Sequence, residues 1–313
     1  MKKTQLISLG TMYVDINCIN FPFDKGLFVH RETTGDTYQL ELGGSALNFA
    51  KLATQLDLQT TFIGKVGDDI MGKALLKLLK KNAINPAVIV DNTVQTNLAI
   101  HYIHKDGSSI MTSSGNANQS LTNQDIQGKL KQINTADFLY LGGCFKLKKL
   151  LPYLSTLAQT AKQKGIKVVL DHGRVNNNVT IEDISMIVQL IPYVDIYLPS
   201  IDEFLEVWDV TTVEKGVEKI QKHAQPIIVI KQGDLGAIGY RNNQSIKVPA
   251  YSIKAVNTVG AGDSFNAGFI RAMSEGKNFE QCLSFACATA AVKISSTGNV
   301  ALETIKTIAK QNT

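Results

Sequence analysis

The stretch Asn257-Thr258-Val259-Gly260-Ala261-Gly262-Asp263-Ser264-Phe265 holds the residues best suited to chemistry. It is a turn of small residues leading into an apolar-periodic stretch. Free N–H groups at a helix start, reinforced by the helix dipole, bind anions. Gly260 and Gly262 let the chain approach a phosphate closely. Asp263, in the first turn, could take a proton from a substrate hydroxyl beside that phosphate. An aspartate there is equally well placed as an ordinary helix cap, so this segment by itself leaves both roles open.

Other chemical patterns carry less. Gly67-Asp68-Asp69-Ile70-Met71-Gly72-Lys73-Ala74 nearly spells a P-loop, but Ala74 stands where a magnesium-binding Ser or Thr belongs, and two carboxylates sit among the amides. Gly260-Ala261-Gly262 opens a dinucleotide fingerprint that fails at Phe265. His101 and His104, three apart on an expected strand, face opposite sides and make poor joint metal ligands. Cys18, Cys144, Cys282 and Cys287 form no C-x-x-C pair and read as free thiols.

The elements that must position these residues follow an α/β rhythm. Short apolar runs at 5–9, 60–66, 87–90, 137–141, 167–170, 195–198 and 226–231 alternate with helical patterns at 46–56, 70–81, 148–164 and 181–191. Such strands predict a mostly parallel sheet covered on both faces. Residues 263–274 and 279–294 predict two further helices, the second dense in small residues such as Ala286, Ala288, Ala290 and Ala291. Residues 99–103 and 109–112 read as a hairpin. With the irregular stretch 17–41 they could form a small sheet standing off the body, a lid built from about 12–42 and 95–115 on a single domain spanning 1–313.

The 313 residues are 44% hydrophobic and 19% charged, with a net charge of +5 and no block of one sign. This balance suits a large core and gives no footprint for nucleic acid. No run approaches the ~18 apolar residues of a membrane span, and the start lacks the pattern of a signal peptide. The expectation is a cytoplasmic protein acting on a small molecule.

Five segments, ordered over nearly the whole chain, resemble the ribokinase-like (PfkB) carbohydrate and nucleoside kinases. They are Gly10-Thr11-Met12-Tyr13-Val14-Asp15, Gly43-Gly44-Ser45-Ala46-Leu47-Asn48-Phe49-Ala50, Gly64-Lys65-Val66-Gly67-Asp68-Asp69 with Gly72, the stretch from Thr96 to Ala117-Asn118, and the segment from Asn257 to Asp263. The resemblance implies a three-layer α/β/α fold with a small β-sheet lid, and a kinase using ATP and Mg²⁺. It implies that Asp15, Gly43, Gly44 and Asn48 hold substrate hydroxyls. By the same token, the amides of Ala261 and Gly262 face the transferring phosphoryl group beside Gly260, and Asp263 is the base. Lys231, Gly233, Thr258, Gly260, Gly262 and Ala288 then border the nucleotide, with residues 255–259 flanking its base. Glu203 reaches Mg²⁺ through water, although Ser200 replaces the usual Asn of that segment. A monovalent cation such as K⁺ is implied near position 257, where this chain carries Asn instead of Asp. Asp57 stands where a glycine is usual, and residues 171–174 match only loosely.

The first function so implied is phosphorylation of a ribose- or fructose-like sugar. An adenosine-like nucleoside kinase is second, and a sugar-phosphate kinase using Arg31 or Lys65 is third. A catalytically inactive binding or regulatory protein is the reading from another class. Apolar lid residues Leu98, Ile100, Tyr102 and Ile110 predict a homodimer through the lid.

Overall fold

The computed structural model describes residues 3–22, 34–105, 109–129, 135–254, 256, 258–295 and 300–309. In chain order the strands are β1 (Gln5–Gly10), β2 (Tyr13–Ile19), β3 (Thr37–Gly43), β4 (Gln59–Ile63) and β5 (Lys65–Gly67). Then come β6 (Asn85–Pro86), β7 (Ile89–Asp91), β8 (Leu98–Ile103), β9 (Ser109–Ser114) and β10 (Phe138–Gly142). The last are β11 (Lys167–Asp171), β12 (Ile196–Tyr197), β13 (Ile227–Lys231), β14 (Ala237–Arg241) and β15 (Gln244–Val248). Nine of them form one sheet in the order β15-β14-β13-β12-β11-β10-β1-β4-β6, parallel from β13 to β6.

Both faces of this sheet are covered, which is why its central strands β10 to β13 are largely apolar. Along β10, Phe138 and Tyr140 enter one core while Leu139 and Leu141 enter the other, as a two-residue period requires. The first core holds the helices Ser45–Gln55, Ala261–Ser274 and Phe279–Ser295; the second holds Leu154–Gln163, Ile201–Trp208 and Val213–Gln221. The result is the expected three-layer α/β/α architecture.

β3, β2, β8 and β9 make a separate four-stranded sheet. Its β2–β8 pairing is parallel and the outer two are antiparallel. Residues 23–33 and 106–108 of the expected lid lie outside the described residues.

Several expected boundaries move for local reasons. The run 60–66 splits at Gly64 into β4 and β5, and β5 pairs with β7 in a two-stranded sheet of its own. The helical stretch 148–164 opens with a 3₁₀ turn at Leu151–Tyr153 and becomes α-helical at Leu154–Gln163; Pro152 lacks the amide that an uninterrupted helix needs. Asp57 does adopt the conformation that favours glycine, with φ 63°. Asp69 caps the helix Ile70–Lys81 by accepting from Gly72 N at 2.7 Å, and it also accepts from Thr96 N at 2.8 Å. Its carboxylate therefore occupies the place where a P-loop would hold phosphate. Among the described residues no helix is long and apolar enough to cross a membrane.

Candidate active site

The turn before the helix Ala261–Ser274 is built as its composition suggests. Gly260 is the N-cap with φ 77°, a conformation that disfavours any side chain. The amide of Ala261 donates to Thr258 O at 3.2 Å. Ala261 was expected to face a phosphoryl group; here its amide is engaged by Thr258, and Gly262 and Asp263 follow in the first turn. Asp263 Oδ1 accepts from Ser45 Oγ at 3.0 Å, and the nearby Asn48 side chain also favours the charged carboxylate. Residues 218 positions apart therefore meet.

Loss of hydration is the largest influence on Asp263, followed by repulsion from Asp171. Together they push its pKa up to about 7, against the stabilising pull of Lys231, Ser45 and Asn48. The residue as a whole remains partly exposed. A carboxyl poised near neutrality suits a general base.

On one side of the turn lies a cavity of about 620 Å³ lined by Lys231, Gly233, Thr258, Ala261 and Gly262. Its far wall is Cys287, Ala290, Ala291 and Ile294. The small residues of the helix Phe279–Ser295 thus serve two faces, because Ala286 and Ala288 are fully buried in the first core. Ala288, expected at the nucleotide, instead packs into that core; its neighbours two and three residues on line the cavity. Val256 N donates to Ile294 O at 2.7 Å, tying the loop to the same wall. Ala255 and Asn257, and with Asn257 the cation expectation, lie outside the described residues.

On the other side is a polar rack. Asp15, on β2, is buried, and a Cβ on Gly43 would lie 1.9 Å from Asp15 Oδ1, so only glycine fits. Gly44 is the N-cap of the helix that carries Ser45 and Asn48. Strand register puts Asn17 opposite His101 on the same sheet face as Asp15. His101 Nε2 lies 3.3 Å from Asp15 Oδ2, close enough for an ion pair but not aligned as a hydrogen bond. Asn17 Oδ1 and His101 Nε2 are buried without a hydrogen-bond partner. Asn118 fastens this sheet to the body, since its Oδ1 accepts from Met12 N and its Nδ2 donates to Met12 O, both at 3.1 Å.

Beneath Asp263 sits a third group of residues. Asp171 Oδ2 accepts from Lys231 Nζ at 2.7 Å and from Asn266 Nδ2 at 2.6 Å. Burial works against the charge on Lys231, but Asp171 first and Glu203 second outweigh it and raise its pKa. Glu203 Oε2 accepts from Ser200 N at 3.0 Å, completing a capping box in which Ser200 serves as well as Asn would. His172, fully buried, meets Gly173 O and Tyr197 OH, and burial lowers its pKa.

Residues 3–305 match the pfkB family of carbohydrate kinases. The chain belongs to that family. It is similar to a ribokinase of Haemophilus influenzae, 28% identical over 95% of this chain and 94% of that protein. It is also similar to a 5-dehydro-2-deoxygluconokinase of Listeria innocua, 24% identical over 94% of this chain and 91% of that protein. Among solved structures it resembles a putative ribokinase II of E. coli with a TM-score of 0.85 at 19% identity, covering 99% of this chain and 100% of that one. An Arabidopsis thaliana ribokinase solved with ribose and ATP matches with a TM-score of 0.78 at 24% identity, covering 99% of each chain.

This pfkB kinase is a phosphotransferase acting on an alcohol group. Sequence patterns do not single out Asn266, Asn17 or His101 as neighbours of the candidate residues Asp171 and Asp15. The register of β2 against β8 would have revealed the last two, since Asp15, Asn17 and His101 share one face only in that pairing. Lys65, a candidate for holding a substrate phosphate, is instead enclosed by Asp91 at 3.0 Å and Asp125 at 2.9 Å. Arg31 lies outside the described residues.

Proposed function

We propose that this protein transfers the γ-phosphoryl group of ATP to a hydroxyl of a ribose- or fructose-like sugar, with Asp263 as general base. The observation that carries this reading is the place of Asp263. One carboxyl, with its pKa raised to about 7, adjoins a helix N-terminus bordering a nucleotide-sized cavity and, through Ser45 and Asn48, the Asp15–Gly43 rack. In the ground state Ser45 occupies the carboxyl oxygen that a sugar hydroxyl would take over. As that oxygen attacks phosphorus, Asp263 receives its proton, and the amides of the first helical turn with Lys231 meet the charge on the transferring group. Asp15 accepts from two sugar hydroxyls, and Asn48 can both donate and accept.

Magnesium fits this donor set through water and phosphate. Among the described residues no three metal-ligating side chains cluster, while Glu203 uses only one oxygen for its cap. A bound Mg²⁺ would neutralise the ATP phosphates. The four-stranded sheet serves as a lid that excludes competing water. Its outer face carries exposed Tyr38 and Leu40 beside the half-buried Ile100, Tyr102 and Ile110. That face supports a homodimer formed through the lid.

A second reading, a polyhydroxy acid as substrate, is favoured by the 5-dehydro-2-deoxygluconokinase relatives and by the imidazole beside Asp15. Commitment of Lys65 to two carboxylates weighs against a sugar phosphate. An ADP-release screen over neutral sugars, sugar acids, nucleosides and sugar phosphates, each with and without potassium, tests the assignment. The expected result is turnover confined to one sugar class. Turnover of nucleosides alone would replace this reading, and no ADP with any acceptor would favour an inactive binding protein.

A further inference from the structure

The Asp171–Lys231 pair is not needed to fill space. Its two partners come from the ends of separate strands, β11 and β13, and meet in the core of the site with side-chain exposures of 6% and 12%. A buried pair of this kind adds little stability over a well-packed apolar pair, because desolvation offsets the attraction. What it does here is set positions and charge around the reacting carboxyl.

Two contacts connect the pair to the transfer machinery. Lys231 Nζ is directed at the 260–262 turn, lying 3.4 Å from where a Cβ on Gly262 would stand. Asn266, one helical turn beyond Asp263, donates from Nδ2 both to Asp171 Oδ2 and to Tyr140 OH, at 2.6 and 3.1 Å. The other end of that amide, Oδ1, is buried without a partner. Asn266 is therefore held by its donors, and the carboxylate of Asp171 is its strongest acceptor.

We propose that Asp171 is a positioning residue for phosphoryl transfer: through Lys231 it fixes a cation beneath the 260–262 turn, and through Asn266 it fixes the helical turn that carries Asp263. This rests on the assignment of Asp263 as the base. It has an electrostatic consequence, because the two members of the pair act on Asp263 in opposite directions. Asp171 repels its negative form and Lys231 attracts it. The other groups around the carboxyl are neutral donors, Ser45 and Asn48 from the helix Ser45–Gln55, and Tyr140 from β10, whose phenol burial keeps protonated. Glu203, from the helix Ile201–Trp208, acts on Lys231, as does Asp171. His172, next to Asp171, stays neutral through burial. The dominant charges on Asp263 are thus the two members of one pair. Intact, the pair sets the two charges against each other; broken at either end, it leaves one sign unopposed.

The test is the pH dependence of kcat/KM for the best acceptor sugar at saturating ATP, from pH 5 to 9, in wild type, Asp171→Asn, Lys231→Met and Asn266→Ala. Wild type is expected to lose activity on acidification with an apparent pKa near 7. Asp171→Asn should move that limb down by about one unit and Lys231→Met should move it up by about one unit, the scale of a single close charge. Asn266→Ala should leave the limb in place and lower kcat by about tenfold, through a misplaced base. If Asp171→Asn does not fold, the upward shift in Lys231→Met and the static limb of Asn266→Ala still decide. A wild-type limb near 7 that moves the same way in both charge variants, or in neither, overturns the proposal while leaving Asp263 as the base. A wild type with no acid limb, or an Asp263→Asn enzyme with undiminished turnover, removes the base assignment itself and the proposal with it.

Discussion

Asp263→Asn tests the chemistry and the energetics of the site together. The substituted amide keeps the shape of the carboxyl and can still accept from Ser45 Oγ, now 3.0 Å away, so the fold should survive. The variant cannot take a proton, and loss of a positioned general base costs about 10²–10⁴ in kcat, or roughly 3–5 kcal/mol of barrier. Stability should move the other way. A carboxyl titrating at about 7 in the folded protein and at about 3.9 when unfolded binds a proton only in the folded state across that interval. Wild-type stability therefore falls as pH rises through the window from about 4 to about 7, and the whole penalty is present above it. Three units at 1.36 kcal/mol each bound the penalty near ~4 kcal/mol; the partial exposure of Asp263 reduces this to about 1–2 kcal/mol. Asp263→Asn should accordingly melt a few degrees above wild type at pH 8 and level with it at pH 4. ADP release under saturating substrates and thermal melts at both pH values measure the two effects. Turnover within tenfold of wild type would refute the role of the base. A melting difference that is the same at both pH values would refute the electrostatic account of the site.

Three further outcomes follow from the geometry. Asp171→Asn and Lys231→Met should displace the acid limb of kcat/KM in opposite directions, as measured by the pH profiles described above. Gly43→Ala would drive a methyl group into Asp15, where Oδ1 lies 1.9 Å from the added carbon; KM for the sugar should rise at least about tenfold while calorimetric ATP affinity is unchanged, since the change perturbs the acceptor side alone. Leu40→Glu puts a charge on the outer face of the four-stranded sheet, where Leu40 is 47% exposed; if the proposed dimer forms through that face, light scattering should show the mass halved relative to wild type, with the helical circular dichroism signal unchanged.

Much of the framework is local and was legible in the chain. Runs of apolar residues with strand character, separated by helical periodicity, predict a covered parallel sheet because each element must bury a face or both faces. The hairpin β14–β15 was not among the expected elements, although Asn242 and Asn243 both adopt positive φ at its turn and asparagine pairs are favoured there. β15 is only five residues long with two apolar positions, a weaker signal than the apolar runs of the parallel strands. The helix Ile201–Trp208 was also not among the expected elements, although Ser200 and Glu203 spell its capping box. The break in the helical stretch 148–164 was signalled by Pro152.

By itself the sequence determined most of the parallel strands and their helices, their order, and a turn fit to bind an anion beside an aspartate. These depend on spacing within a few residues, which period, glycine and capping rules read directly. The tertiary structure decided what surrounds that aspartate. Ser45 reaches Asp263 across 218 positions, Lys231 reaches Asp171 across 60, and Asn266 reaches Asp171 across 95. A pKa near neutrality arises from lost hydration and a neighbouring charge, both of which depend on distance through space. No pattern along the chain carries those distances; strand order and register create them.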